Sequence, residues 1–221
     1  MVDISLILTT HGHSKDARRV VDEMIKASNS VPNECEVIVV THDNDPKNVP
    51  DGDDFIHLIQ PKMGCASSVW YGAMHCNGKW DVYLCDDHEY PDSDWLKKFI
   101  AHRDSNPTVK LFGIRDGKMN QICPSIGVFS VEWFRDNYPE PVYEHYAWED
   151  HNLLLAKLSG STYSNREGGR VGNGWMYMDD VVIIQSLDDR VNQDRRARDT
   201  EIWQVNKKEL EKKLIEKFGK I

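Results

Sequence analysis

The sequence predicts an α/β fold in which a mostly parallel, mixed sheet is flanked by helices. Short apolar runs rich in β-branched residues recur along the chain, amphipathic helical segments alternate with them, and polar loops follow several of the runs. Strands that alternate with helices pair in parallel, because the helix returns the chain to the edge of the sheet where the strand began. The 221 residues are enough for one sizeable core, so we expect a single domain.

The first half of the chain predicts strands and helices in alternation. Residues 4–9 form an apolar run that ends in a polar loop, and a helix follows Ser14, a suitable N-cap. Its apolar residues recur at helical spacing up to the polar stretch 28–30. Further strands are predicted at 36–41, 55–59 and 80–85, and a second helix at 66–76.

The second half predicts less regular alternation. We expect helices at 93–101 and 149–158, strands at 109–114 and 181–185, and an apolar patch at 128–134. The segment 200–218 predicts an amphipathic helix, because its large apolar residues fall on one stripe. These residues are Trp203, Leu210, Leu214 and Phe218.

Composition argues against several classes of protein. The formal charge of -9 disfavours a broad nucleic-acid-binding surface, although a local basic strip is compatible with it. No apolar run approaches the ~18 residues of a membrane-spanning helix, and the opening residues lack the basic start of a secretory signal. We therefore expect a soluble, cytoplasmic protein. The five cysteines include no C-x-x-C pair, so we expect reduced packing residues.

Three polar loops follow predicted strands and are candidates for a ligand site. They are His11 to His13, Asp43 to Asp45 and Asp86 to His88. Ligands of open α/β sheets bind beyond the carboxyl ends of the strands, so we expect these loops to converge on one edge. A hydrolytic metal site built from the loop histidines and Asp43 is an alternative, although no spacing such as His-Glu-x-x-His is present.

Asp86, Asp87 and His88 predict a divalent metal site. Acidic and imidazole side chains at a strand end can hold an ion and leave coordination positions for phosphate oxygens. Asp86 and His88 alternate along the chain, so both can point the same way. Oxygen ligands suit Mg²⁺, and one imidazole moves the preference toward Mn²⁺. The alternative is that the acids only cap a loop ahead of the helix at 93–101.

Glu149 and Asp150 form a second candidate site at the predicted start of a helix. The helix dipole stabilises negative charge there, and Asp150 can accept a proton from an acceptor hydroxyl. The alternative is a helix N-terminus whose acidic residues only add stability.

The two motifs together resemble those of glycosyltransferases of the glycosyltransferase-A (GT-A) fold, especially family 2. Asp86-Asp87-His88, with the Pro91-x-x-x-Trp95-Leu96 tail, is similar to the family's Asp-x-Asp region, in the Asp-x-His version of the polypeptide N-acetylgalactosaminyltransferases. The resemblance implies a single Rossmann-like domain with Asp86 and His88 at the nucleotide sugar and its metal. Asp87, beside them, is expected to be a donor contact. It also implies that Asp150, in a Glu-Asp motif with Glu149, is the general base of an inverting enzyme.

The resemblance extends to the donor side of the site. The end of the first strand, Thr9 to His11 with Thr10 between them, implies nucleoside contacts, and Asp43 after the second strand implies a contact to the base. Gly64 opens a segment similar to the family's Gly-x-x-x-Ala-Arg-Asn, in which Val69 and Trp70 replace the Arg and Asn. This departure implies altered donor contacts.

The resemblance also extends to the acceptor side. The segment 124–130 is similar to the family's Gly-rich segment beneath the sugar and acceptor. It implies that Ser125 and Gly127, together with Trp148, line the acceptor and sugar pocket. From this resemblance we expect one domain, 1–221. Within it we expect a nucleotide-binding half (1–100), an acceptor-binding half (101–199) and a C-terminal helix (200–221).

Arg195 and Arg198 lie in an arginine-rich stretch at 193–198 that we expect to be a mobile loop. Guanidinium groups on such a loop can fold over a diphosphate and stabilise it as it leaves, so both are predicted donor contacts. A solvated loop without function is the alternative.

The sequence therefore predicts a metal-dependent glycosyltransferase that moves a sugar, with inversion, from a nucleoside-diphosphate donor to a hydroxyl acceptor. A UDP-sugar is the favoured donor, and Mn²⁺ or Mg²⁺ is the expected cofactor. A saccharide, a small molecule and a hydroxymethylated base in viral DNA are all open as acceptors, and the net charge does not favour DNA. The alternatives are a nucleotidyltransferase, which usually has a Gly-rich basic loop after its first strand, and a non-catalytic nucleotide-sugar-binding module.

Overall fold

The chain folds into alternating strands and helices. The computed structural model describes residues 2–10, 14–32, 34–42, 52–61, 64–89, 92–116, 126–143, 148–159, 170–172, 175–185 and 193–218. The strands are β1 (Ile4–Thr9), β2 (Cys35–His42), β3 (Ile56–Gln60), β4 (Trp80–Cys85), β5 (His88–Glu89), β6 (Leu111–Asp116), β7 (Ile126–Ser130), β8 (Arg170–Gly172) and β9 (Trp175–Gln185). The helices are α1 (Ser14–Asn29), α2 (Cys65–His75), α3 (Trp95–Ser105), α4 (Val131–Asn137), α5 (Trp148–Ser159) and α6 (Gln193–Phe218).

The described strands form one mixed sheet in the order β3-β2-β1-β4-β7-β6-β9-β5, with β8 paired to β9. The first four strands in this order are parallel, and the register aligns Ile7 of β1 with Ile38 of β2 and with Tyr83 of β4. β7 runs antiparallel between β4 and β6, whereas β6 and β9 are parallel. The predicted fold class, a single α/β domain with a mixed sheet flanked by helices, is confirmed.

Side chains of β1 are buried on both faces of the sheet, which explains its uninterrupted apolar sequence. Leu6 and Leu8 pack in the core cluster that includes α1 and α3, whereas Ile7 packs on the opposite face with Ile38 and Val40. Each fully buried aliphatic side chain of this kind stabilises the fold by about 1.5–3 kcal/mol. The sheet therefore has a separate apolar layer on each face.

The predicted apolar patch at 128–134 is divided between β7 and α4. The division falls at Ser130, whose backbone is extended and whose Oγ accepts a hydrogen bond from the Trp133 N–H at 3.4 Å. Phe134 of α4 stacks on Phe129 of β7, with ring centroids 4.3 Å apart. The helix N-cap, rather than a change in hydropathy, separates the two elements.

The C-terminal helix begins earlier than predicted, at Gln193. The prediction of a mobile loop at 193–198 is therefore wrong. This segment contains neither glycine nor proline, so nothing in it stops a helix from extending toward its N-terminus. α6 packs against α5 and buries Leu210 and Leu214. Within the described residues, no helix is both long enough and apolar enough to span a bilayer.

Candidate active site

The adjoining ends of β1 and β4 form the centre of the candidate site. Thr9, the last residue of β1, is in register with Cys85, the last residue of β4. Thr10 and Asp86 are the residues that follow these two strands. Thr10 Oγ1 donates a hydrogen bond to Asp86 Oδ2 at 2.7 Å. Thr10 is buried and Asp86 is half-buried, so a hydroxyl from β1 orients a carboxylate at the edge of the sheet.

The turn that contains Asp86 and Asp87 is held from two further elements. After it, β5 pairs antiparallel with β9, with His88 opposite Gln185. Arg19 of α1 donates hydrogen bonds to the carbonyl oxygens of His88 at 2.9 Å and Asp86 at 3.4 Å. The backbone of the motif is therefore fixed by the sheet on one side and by a guanidinium on the other.

His88 is buried, with 1% of its surface exposed, and its ring supports the turn. The Cys85 N–H donates a hydrogen bond to His88 Nδ1 at 2.9 Å. Burial, aided by the positive charge of Arg19, lowers the pKa of His88 to about 3, so the ring is neutral at ordinary pH. A neutral imidazole that accepts at Nδ1 carries its proton on Nε2, which lies 3.8 Å from Asp87 Oδ1.

Carboxylate oxygens are the donors in this turn that fit a divalent cation. Asp86 and Asp87 are both half-buried at the sheet edge, where water and phosphate can complete a coordination shell. Among the described residues, Cys85, Asp87 and His88 form a group whose candidate ligand atoms lie within 4.8 Å of one another; Asp86, whose Oδ2 accepts the hydrogen bond from Thr10, is not part of this group. Because the lone pair of His88 Nδ1 is already used, metal binding by His88 requires its ring proton to move from Nε2 to Nδ1. The assignment of His88 as a ligand stays a prediction.

Two thiols and a phenol are in contact next to this turn. Cys65, the first residue of α2, and Cys85 have Sγ atoms 3.8 Å apart. Tyr83 Oη lies 2.8 Å from Cys65 Sγ and 2.7 Å from Cys85 Sγ. The hydrogen bond between the two thiols lowers the pKa of Cys65 and raises that of Cys85. These residues connect the start of α2 to the end of β4.

A buried polar network fixes the start of α2 at the same edge. Gln60 Nε2 donates to Ser68 Oγ at 2.6 Å and lies 3.2 Å from His42 Nδ1. Ser68 Oγ in turn donates to the carbonyl oxygen of Gly64 at 2.8 Å. Gly64 has a φ of 131°, which residues with a Cβ rarely adopt. Of the residues of the alternative hydrolytic metal site, only His42 is described; His11, His13 and Asp43 lie outside the described residues.

Solved structures with the same arrangement of strands and helices include three proteins at low sequence identity. The mannosyltransferase PcManGT from Pyrobaculum calidifontis, in complex with GDP-Man and Mn²⁺, matches with a TM-score of 0.65 and 14% identity over 93% of this chain and 64% of that chain. S. aureus TarS with UDP-GlcNAc matches with a TM-score of 0.64 and 12% identity over 98% of this chain and 71% of that chain. The chain has the GT-A fold.

A third GT-A structure is the Mycobacterium tuberculosis glucosyl-3-phosphoglycerate synthase in complex with Mn²⁺, UDP and glucosyl-3-phosphoglycerate. It matches with a TM-score of 0.61 and 12% identity over 100% of this chain and 81% of that chain. No protein-family model and no curated protein sequence matches this chain. The chain spans 64% of the length of the Pyrobaculum calidifontis mannosyltransferase and shares its fold.

The GT-A sheet places part of the predicted acceptor side near the carboxyl end of β4. β7 is antiparallel to β4, so its first residues, including the buried Gly127, lie toward the same edge as Asp86. Trp148, Glu149 and Asp150 form the first turn of α5, and their side chains lie outside the described part of the chain. His11, Asp43 and Ser125 also lie outside the described residues.

The residue that follows Asp150 anchors the start of α5. Tyr143 Oη accepts a hydrogen bond from Asn206 of α6 at 3.1 Å and lies 2.9 Å from His151 Nδ1. Burial lowers the pKa of His151 to about 4, so its neutral ring can accept a hydrogen bond from the Tyr143 hydroxyl at Nδ1. α5 is thereby tied to α6 through a buried polar contact. Arg195 and Arg198 belong to α6; Arg198 is exposed, and the Arg195 side chain is not described.

Sequence reasoning did not identify three residues of this site. Arg19 lies on the polar side of an amphipathic helix, where arginine is common, and nothing in the sequence predicts its contact with the carbonyl groups of the motif. Cys65 and Cys85 are separated by twenty positions, and only their locations beside Gly64 and Asp86 connect them with the candidate site.

Proposed function

We propose that this protein is a metal-dependent glycosyltransferase that moves a sugar from a nucleoside-diphosphate donor to a hydroxyl acceptor. The observation that carries the proposal is the hydrogen bond between Thr10 and Asp86 at the adjoining ends of β1 and β4. It orients a half-buried carboxylate, next to that of Asp87, at the edge where ligands of open α/β sheets bind. The three similar structures are complexes with GDP-Man, UDP-GlcNAc or UDP, and two of them also contain Mn²⁺.

Asp86 and Asp87 are the proposed oxygen donors for Mn²⁺ or Mg²⁺. When bound, the metal ion would neutralise negative charge on the diphosphate leaving group. Thr10 fixes the orientation of Asp86, and Arg19 holds the backbone of the turn. His88 supports the turn by accepting a hydrogen bond from the Cys85 N–H at Nδ1. The alternative is that His88 is a metal ligand, in which case this hydrogen bond is lost.

The donor occupies the side of the site formed by β1 and the start of α2. Thr9, Thr10 and Gly64 line this side, and His11 and Asp43 are proposed to complete the nucleoside contacts. A UDP-sugar is the favoured donor. Arg195 and Arg198 are proposed donor contacts from the first turns of α6, where they are presented by a helix rather than by a loop.

Asp150 is the proposed general base and removes the proton from the attacking acceptor hydroxyl. A carboxylate in the first turn of a helix is stabilised by the helix dipole, and Glu149 precedes it in the same turn. Direct attack with Asp150 as base inverts the configuration at the anomeric carbon. Ser125, Gly127 and Trp148 are the proposed lining of the acceptor and sugar pocket.

The acceptor is proposed to be a saccharide or small molecule, with a hydroxymethylated base in DNA as the alternative. DNA binding requires a local basic strip, and Arg198 is exposed on α6. The net charge of -9 disfavours DNA, because DNA is a polyanion. Transfer to duplex DNA that weakens steeply with added salt would favour the DNA alternative.

The first test is a thermal-shift screen of nucleoside diphosphates and their sugars, with and without Mn²⁺. A ligand that binds only the folded state raises the melting temperature, so the donor should stabilise the wild type in the presence of metal. Asp86→Ala should lose this stabilisation, whereas Asp136→Ala, which removes an exposed carboxylate on α4, should keep it. Equal stabilisation of the wild type and Asp86→Ala would contradict the proposed site.

The second test separates transfer from binding. Asp150→Asn should keep donor binding and lower the rate of transfer by about a hundredfold or more, because the amide cannot accept the proton. Donor binding without sugar transfer in the wild type would favour the non-catalytic module. Release of pyrophosphate from nucleoside triphosphates would favour the nucleotidyltransferase.

A further inference from the structure

Cys65 and Cys85 form a pair of neighbouring thiols, both in contact with Thr9 at the edge of the sheet where the donor is proposed to bind. Their sulfur atoms are in contact at 3.8 Å, and both side chains are half-buried. Both are thiols in this structure. A disulfide bond is about 2.05 Å long, so the sulfur atoms need to approach by less than about 2 Å to bond.

The surroundings of Cys65 favour its sulfur as the nucleophile that reacts with an oxidant. Cys65 is the first residue of α2, and the N-terminus of a helix stabilises negative charge on sulfur. The hydroxyls of Thr9 and Tyr83 lie 3.8 Å and 2.8 Å from Cys65 Sγ. Cys85 is positioned to be the resolving thiol, because its sulfur contacts the Cys65 sulfur from the end of the neighbouring strand.

Two other described cysteines have different environments and serve as references. Cys35 begins β2, and burial raises the pKa of its thiol to about 11. Cys76 follows the end of α2 and packs with Ile7 and Val131, where burial raises the pKa of its thiol to about 12. Neither lies at the carboxyl end of β4.

We propose that hydrogen peroxide oxidises Cys65 and Cys85 to a disulfide and that this disulfide weakens donor binding. The Cys65 sulfur attacks a peroxide oxygen, which breaks the O–O bond, forms a sulfenic acid and releases water. The Cys85 sulfur then attacks the Cys65 sulfur and displaces the sulfenic oxygen as a second water. Two electrons pass from the two sulfur atoms to the peroxide, and two thiol protons end on the oxygen atoms released.

The expected effect on binding follows from the position of Cys85 and rests on the proposed function. Cys85 precedes Asp86 in the chain, and the Cys85 N–H donates a hydrogen bond to His88 Nδ1. Movement of Cys85 toward Cys65 therefore changes the position of the turn that presents the two carboxylates. Tyr83 Oη, which contacts both sulfur atoms, must also change its hydrogen bonds.

The disulfide is tested by peptide mapping of the full chain after peroxide treatment, without reductant. Digestion with trypsin and chymotrypsin separates Cys65 from Cys76, because cleavage after Trp70 or Tyr71 falls between them. The expected result is a peptide containing Cys65 joined to one containing Cys85, with both thiols restored by dithiothreitol. Retention of both thiols, or pairing of either cysteine with another partner, would overturn the proposal.

The effect on binding is tested by comparing the metal-dependent donor affinity of reduced and oxidised protein. We expect oxidation to weaken donor binding by about tenfold or more in the wild type, since small displacements of positioned groups have large effects. Cys65→Ser and Cys85→Ser should abolish the difference between the two states, whereas Cys35→Ser should retain it.

The two proposals fail in distinguishable ways. A disulfide with unchanged donor affinity would overturn the regulatory part alone. No donor binding by the reduced wild type would count against the proposed function, while the mapping would still decide whether the disulfide forms.

Discussion

At the scale of single residues, two aspartates at opposite ends of β4 show how position determines what a carboxyl group does. Asp81, near the start of the strand, is completely buried, and neither of its oxygens has a hydrogen-bond partner among the described residues. Asp86 follows the other end, where it is half-buried and accepts a hydrogen bond from Thr10. Asp81 affects stability through its protonation. Asp86 is oriented at the edge of the sheet where the donor is proposed to bind.

Removal of the Thr10 hydroxyl should weaken metal-supported donor binding. Thr10→Val keeps the shape of the side chain and deletes the hydrogen bond to Asp86, so we expect the affinity for Mn²⁺ and donor to fall by about tenfold. A titration of Mn²⁺ at fixed donor concentration measures the effect. Thr41→Val is the matched control, because Thr41 is also buried but contacts His57 at 2.7 Å instead. Equal losses in both variants would show that the Thr10 contact has no specific role.

Replacement of Asp81 by Asn should change how stability depends on pH. Burial raises the pKa of Asp81 well above its usual value, and Glu36 adds to this while Arg135 opposes it. A raised folded-state pKa makes folding most favourable below the unfolded pKa and less favourable as pH rises through the folded pKa. Asp81→Asn cannot ionise, so its stability relative to wild type should increase by on the order of 1–3 kcal/mol between about pH 5 and pH 8.

Urea unfolding at several pH values measures the effect of Asp81. Asp136→Asn changes an exposed carboxylate and should follow the wild-type dependence. A constant difference between Asp81→Asn and wild type over the whole pH range would mean that Asp81 has the same protonation in the folded and unfolded states.

At the scale of elements, α2 is the helix whose placement most directly shapes the site. It starts beside Thr9, and in its interior Gly72 lets it approach β1 closely. A Cβ added at Gly72 would lie 2.7 Å from Ile7 Cγ2 and 3.3 Å from Val40 Cγ2. The two strands hold these side chains in the core, so α2 could not keep its present distance from the sheet if Gly72 had a side chain.

Gly72→Ala should destabilise the protein by about 1–3 kcal/mol, because the added methyl overpacks the interface between α2 and β1. Urea unfolding measures the change. Gly127→Ala is a suitable comparison, since the nearest atom to its Cβ would be Leu111 Cδ1 at 3.4 Å, an ordinary contact. No loss of stability in Gly72→Ala would indicate that α2 can shift away from the sheet without cost.

The sequence predicted elements well where one periodic pattern covered the whole element. β1 and β4 match their predicted bounds, because buried parallel strands are continuous apolar runs with polar residues at their ends. β5 was not predicted, because its two residues, His88 and Glu89, form a strand only through pairing with the distant β9. β9 begins at Trp175 rather than at 181 for a related reason, since its first residues pair with β6 and β8.

At the scale of the whole molecule, both predicted halves of the chain contribute strands to one sheet. β4 of the first half pairs with β7 of the second, and the predicted boundary at residue 100 falls inside α3. Trp80 of β4 packs on Phe99 of α3 and Phe112 of β6, with ring centroids 5.9 Å and 5.6 Å apart. The division into a nucleotide-binding and an acceptor-binding half is therefore a proposal about function and not about independent folding.

The continuous sheet predicts a single cooperative unfolding transition. The seven tryptophans occur in both halves, so their fluorescence reports on the whole chain, while far-ultraviolet circular dichroism reports on helices and strands. Midpoints from the two signals should coincide in thermal or urea unfolding. Two separated transitions would show that the halves unfold independently despite the shared sheet.

Sequence patterns were enough to predict the α/β class, the order of the main strands and helices, and the acidic motif at the end of β4. These features are local, because apolar periodicity, caps and strand-end loops are read from neighbouring residues. Four contacts became known only from the folded chain: Thr10 orients Asp86, Arg19 holds the turn, His88 is buried with its Nδ1 already bonded, and Cys65 contacts Cys85. Each of these contacts joins residues far apart in the chain, and strand register and helix packing, which no local pattern records, bring them within reach of one another.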